Sequence, residues 1–247
     1  MFKALAMILA LALASPYAHA GGGFGARSRG GRERWQIDMR FGQYGQYDLR
    51  QKRRGHLKDA DTSMLCGPVN LLNSLVRIRE VLGLRSRFES LDQELAHLVA
   101  LAPEDLIQKG ISPNKLARLA SDYLREQGIE AEVAVVDIVP GFDFARHLDE
   151  HSVLILLQGL YSVEDPTASI VSSDARKSGH FITLDGIPDE DLPKIHVHDP
   201  ISGSRVIHLG GRVRFDDGSE GVWARRLKDS TFEDSSVLEK GIVIHLM

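Results

Sequence analysis

The sequence predicts an α+β fold, with N-terminal helices packed on a mostly antiparallel sheet. Three observations predict it. Between Leu71 and Leu124 apolar residues recur at spacings of three and four, the period of a helix face. From Ile129 to Val139 the chain turns β-branched, and later apolar residues come in short runs. Helices therefore come first and strands after, with no internal repeat.

The first twenty residues read as a secretory signal peptide. Lys3 gives a positive start, Ala4 to Ala14 an apolar core too short to span a bilayer, and Ala18-His19-Ala20 a small-x-small cleavage pattern. Residues 21–34 are rich in glycine and carry four arginines, with too little apolar surface to order, so they form a flexible basic tail. Residues 35–247 then form a single domain, long enough to bury a core. Within it, Trp35 to Leu49 is expected as an edge strand or covering arm, and Lys52 to Asp61 as an exposed approach.

The first clear helix starts near Cys66 and carries Leu71, Leu75, Ile78 and Leu82 inward, with Arg77, Arg79 and Glu80 off that stripe. Pro68 fits its first turn and Gly83 its left-handed end. Asn70 and Asn73 are expected on the helix surface or against the sheet. A second helix runs from Ser90 to Leu101, burying Leu91, Leu95, Leu98 and Val99, and breaks at Pro103. A third follows the Ser112-Pro113 cap, buries Leu116, Leu119, Ala120 and Leu124, and ends at Gly128.

Strands follow. Val153 to Leu157 is a continuous apolar run, expected as a central strand buried on both faces. Ser162 to Ser178 is polar and expected as a loop. Gly179 to Gly186 and Lys194 to Asp199 form the next strands, with Pro200 as a stop. Further strands are expected at Arg205 to Leu209, Gly221 to Leu227 and Gly241 to Leu246.

The net charge of −4, or −5 without Lys3, gives no reason to expect nucleic-acid binding, and no later segment is long and apolar enough to span a membrane as a helix. Composition leaves the oligomeric state open. Cys66 is the only cysteine, so an exported chain has no partner for an internal disulfide. It stands where unpaired N–H groups and the helix dipole favour negative charge, the form in which a thiol is nucleophilic. A cysteine nucleophile needs a base, and the base a group to hold its ring. His180 opens a strand after Gly179, and Asp199 closes the next strand in phase with Ile195 and Val197. Asp185 is the competing carboxylate. His196 and His198 could offer two metal ligands on the opposite strand face, and spacing shows no third, so no metal and no cofactor is expected.

Three blocks carry a resemblance: Cys66-Gly67-Pro68 before a long helix, Gly179-His180-Phe181-Ile182-Thr183-Leu184-Asp185-Gly186, and His198-Asp199-Pro200-Ile201-Ser202-Gly203. Together they resemble papain-like cysteine peptidases of the bacteriocin-processing, double-glycine type, over roughly residues 61–203. The resemblance implies a papain-like fold and a peptide or protein substrate. Cys66 would be the nucleophile, His180 the general base and acid, and Asp199 the carboxylate that orients the ring. Two departures matter. That family places an oxyanion-holding glutamine six residues before the cysteine, where this chain has Ala60; Asp61, Thr62 and Ser63 are the nearest substitutes. No transporter is attached. The alternatives are a weak or inactive peptide-binding domain and a transpeptidase of the phytochelatin-synthase type.

Overall fold

The computed structural model describes residues 64–104, 106–163, 170–187, 194–225 and 235–247. The signal segment, the basic tail, the Trp35–Leu49 arm and the residues just before Met64 lie outside the described residues. Among the described residues four α-helices come first: α1 Cys66–Leu82, α2 Leu91–Leu101, the single turn α3 Leu106–Lys109, and α4 Pro113–Glu126. Eight strands follow: β1 Ala131–Asp137, β2 Ser152–Tyr161, β3 Ile170–Val171, β4 Arg176–Gly186, β5 Lys194–Asp199, β6 Gly203–Phe215, β7 Glu220–Arg225 and β8 Ser235–Leu246. The mixed helix-plus-sheet architecture expected from the sequence is therefore present. Among the described residues the only parallel pair is β3 with β6.

Six of the strands close a ring. β2 pairs with β4, β4 with β5, β5 with β6, β6 with β7, β7 with β8, and β8 returns to β2, all antiparallel. β1 extends the sheet beyond β8. The ring is filled from one face of each strand: Leu154, Leu156, Ile182, Leu184, Ile195, Val197, Ile207, Val222, Ala224 and Leu238 form one buried cluster. The other face of β2, β4 and β8 packs against the helices through Val153, Ile155, Leu157, Phe181, Ile242 and Ile244. β2 is buried on both sides because it belongs to both cores, which is why it reads as a continuous apolar run.

Local chemistry sets the helix limits. Gly83 closes α1 at φ 64°, a left-handed conformation that disfavours any side chain. Ser90 and Ser112 cap α2 and α4 by accepting from Gln93 N and Lys115 N. Leu71, Leu75 and Ile78 are almost wholly buried, each contributing about 1.5–3 kcal/mol of transfer free energy.

Three expectations need correction. Residues 162–178 are not all loop: β3 forms at Ile170–Val171, a 3-10 turn at Ser173–Ala175, and β4 begins at Arg176. The two β-branched residues inside this polar stretch form an edge strand, with Val171 buried and Ile170 63% exposed. Leu82 is 41% exposed rather than inward, being the last residue of its helix. Arg79, placed off the apolar stripe, is buried against Glu94, which supplies the matching charge.

Candidate active site

The first turn of α1 carries Cys66, with 8% of its surface exposed. Leu65 at the N-cap offers no capping side chain, and the first turn has no acidic residue, so no side chain there neutralises the positive end of the helix dipole. Gly67 lets this turn press onto the sheet: a Cβ there would lie 3.4 Å from the Phe181 ring and 2.5 Å from Ile111 Cγ2. Asn70, fully buried one turn on, donates from Nδ2 to the carbonyls of Cys66 and Phe181, both at 2.8 Å. Its Oδ1 accepts from Thr183 Oγ1 at 2.7 Å. One amide thus ties the start of α1 to β4 on both sides of Ile182 and next to His180.

His180 and Asp199 lie at one end of the ring. In β4 the residues at 180, 182 and 184 share a face, and in β5 those at 195, 197 and 199 do. The partners of His180 and Asp199 on those faces, Ile182, Leu184, Ile195 and Val197, fill the ring interior. His180 Nε2 lies 3.0 Å from Asp199 Oδ1. An ionised carboxylate only accepts, so Nε2 carries the hydrogen and Nδ1 is the nitrogen left for the thiol. The Cys66 side chain is near enough to act on the same ring and favour its charged form. The structure therefore brings together all three residues singled out in the sequence. Asp185, the competitor, acts instead on Arg77.

Asp199 is 1% exposed yet well supplied with partners. Its Oδ1 also accepts from the backbone N–H of Ile201 at 2.8 Å and of Ser202 at 3.3 Å, and its Oδ2 lies 2.9 Å from Arg205 Nη2. Burial raises its pKa, but the hydrogen bond and charge of His180, the charge of Arg205 and the Ile201 N–H outweigh it and hold the carboxyl far below its usual range. For His180, burial disfavours the charged ring. The hydrogen bonds to Asp199 and Cys66 and their charges prevail, and the ring is pushed up to about 9. The imidazolium is the favoured form at neutral pH.

Arg205 and Gln158 were not singled out in the sequence. Arg205 Nη2 also donates to Gln158 Oε1 at 2.8 Å, and Gln158 stands directly opposite His180 on β2. Gln158 had a signal, since it interrupts the apolar run of a strand buried on both faces, where a polar group needs a partner. Arg205 had none, because one arginine early in a strand says nothing of where it points. His196 and His198 gain no third ligand: among the described residues no group of three or more His, Cys, Asp or Glu could hold a metal ion. No described helix is long and apolar enough to cross a membrane. A search of protein-family models and of curated proteins finds no match to this chain.

Proposed function

We propose that this protein is an exported cysteine peptidase of papain-like fold that hydrolyses peptide (amide) bonds. The observation that carries this reading is the 3.0 Å contact of His180 Nε2 with Asp199 Oδ1, on a ring whose charged form Cys66 also favours. The Cys66 thiolate attacks the substrate carbonyl carbon, forming the C–S bond as the carbonyl π electrons move to oxygen. The oxyanion collapses, the C–N bond breaks, and the leaving nitrogen takes the Nδ1 proton of His180. Water then attacks the thioester with His180 as base, releasing the acid and restoring the thiol. The backbone N–H of Cys66 at the uncapped start of α1 is one oxyanion donor; Asp61, Thr62 and Ser63, the candidates for the second, lie outside the described residues.

Export rests on the signal-like first twenty residues. The test is hydrolysis of a peptide library together with iodoacetamide labelling, which in this chain reports Cys66 alone because it is the only cysteine. Fast labelling at neutral pH, slowed in His180→Ala, and turnover lost in Cys66→Ala are expected. Labelling at the rate of a simple exposed thiol counts against the reading. Fast labelling without turnover would favour the alternative of a peptide-binding domain, for which the Ala60 departure is the motive.

A further inference from the structure

We propose that Arg205 is a positioning residue for the His180–Asp199 pair, holding the carboxylate in place and compensating its charge when His180 has given up its proton. Four observations carry it. Arg205 stands opposite Val197 in the β5–β6 register, so it shares the interior-facing side with Asp199 two residues on. A single terminal nitrogen, Nη2, reaches both Asp199 Oδ2 at 2.9 Å and Gln158 Oε1 at 2.8 Å. In the sheet β4 lies between β2 and β5, so this cation from β6 has its two anchors on either side of the histidine's own strand. Arg205 is 12% exposed and Asp199 1%, so the pair is largely withdrawn from solvent.

Charge counting shows what the arrangement does. On the cysteine-peptidase reading Cys66 from α1 and His180 from β4 rest as a thiolate–imidazolium pair, beside Asp199 from β5 and Arg205 from β6; Gln158 from β2 is neutral. Two cations face two anions. After His180 protonates the leaving amine, the sulfur is acylated and the ring is neutral, so Asp199 and Arg205 remain as a balanced pair. Without Arg205 the resting site carries an excess negative charge, and the acyl-enzyme leaves a buried carboxylate with no opposite charge, a costly state. Asp199 would then hold the imidazolium proton more tightly, and the step that delivers it would slow.

This role presupposes the cysteine-peptidase reading, and one experiment separates the two. The His180 Cε1–H resonance of the full protein is followed against pH by NMR and assigned with His180→Gln. In the wild type a midpoint of about 9 is expected, lowered in Cys66→Ser. In Arg205→Gln or Arg205→Met, whichever keeps the wild-type circular dichroism, the midpoint should rise by about one unit, the scale of a neighbouring charge. Arg205→Lys, which keeps the charge, should titrate close to the wild type. A wild-type midpoint near 6.5 that Cys66→Ser does not move sinks the peptidase reading and this role with it. A wild-type midpoint near 9 that the neutral variants leave in place or lower overturns the role of Arg205 alone. Failure of both neutral variants to fold, with Arg205→Lys folded, makes Arg205 a structural residue and overturns it too.

Discussion

The side-chain Nδ2 of Asn70 lies 2.8 Å from the carbonyl oxygen of Phe181, the residue that follows His180 on β4. Since the same nitrogen holds the carbonyl of Cys66, one buried amide ties the start of α1 to the strand that carries His180. Asn70→Ala leaves two carbonyls and the Thr183 hydroxyl short of a partner in a fully buried place. A stability loss of roughly 3 kcal/mol is expected in urea unfolding. At a temperature where the variant stays folded, iodoacetamide labelling of Cys66 should slow by on the order of tenfold to a hundredfold, because the reacting groups lose their alignment. Labelling at the wild-type rate would show that packing alone fixes the pair.

Stability should depend on pH with two opposite edges. His180 is raised in the folded protein to about 9, above its ordinary 6.5, so its pairing stabilises fully below pH 6.5 and is lost as pH climbs through 9. Asp199 is depressed below its ordinary 3.8, so its pairing stabilises above that value and is lost as pH falls below it. Urea midpoints should therefore be highest between about pH 4 and 6.5, reckoned from these two groups by linkage. In His180→Ala the decline between 6.5 and 9 should flatten. A decline of unchanged slope would assign it to another group.

The parts of the fold that were legible in the sequence are those governed by local patterns. The α1 stripe, the Gly83 end, the Ser112-Pro113 cap and the alternation that turns Asp199 inward all depend on residues within a few positions of one another. The pairing of His180 with Asp199 was legible because two short blocks carry these residues. Closure of six strands into a ring was not, since it depends on β8 returning to β2 across more than seventy residues. Arg205 was missed for the same reason, because its partner Gln158 is distant in sequence. Asn70 was read as lying on the helix surface or against the sheet, and its bond to Phe181 O decides for the sheet.

Arg79 falls off the apolar stripe of α1 by spacing, yet it is buried, and both its terminal nitrogens bond the carboxylate of Glu94, one of them at 2.9 Å. Glu94, itself fully buried on α2, also accepts from Tyr123 Oη at 2.6 Å and Ser86 Oγ at 3.1 Å, so the cluster joins α1, α2 and α4. Glu94→Ala strands the Arg79 cation in the helical layer and should cost about 3–5 kcal/mol in chemical denaturation. The paired change Arg79→Met with Glu94→Leu should cost much less, because no buried charge is left alone. Equal losses in both would show that shape rather than charge holds the cluster.

Gly67 gives the sharpest separation of geometry from chemistry beside Cys66, because it carries no titratable group. A Cβ at this position would lie 2.5 Å from Ile111 Cγ2, 3.3 Å from Leu116 Cδ2 and 3.4 Å from the Phe181 ring. Ile111 is half-buried and can yield, whereas Leu116 and Phe181 belong to the packed core. Gly67→Ala should therefore push the start of α1 off β4, at a cost of about 1–3 kcal/mol for overpacking. Cys66 rides on that turn, so its labelling should slow even in the folded variant, and the His180 titration midpoint should fall as the sulfur moves away from the ring. Ile111→Ala in the same chain opens the tightest of the three contacts. It should recover labelling in Gly67→Ala while leaving the wild-type rate nearly unchanged, and absence of any recovery would mean that the glycine is required for some reason other than close approach.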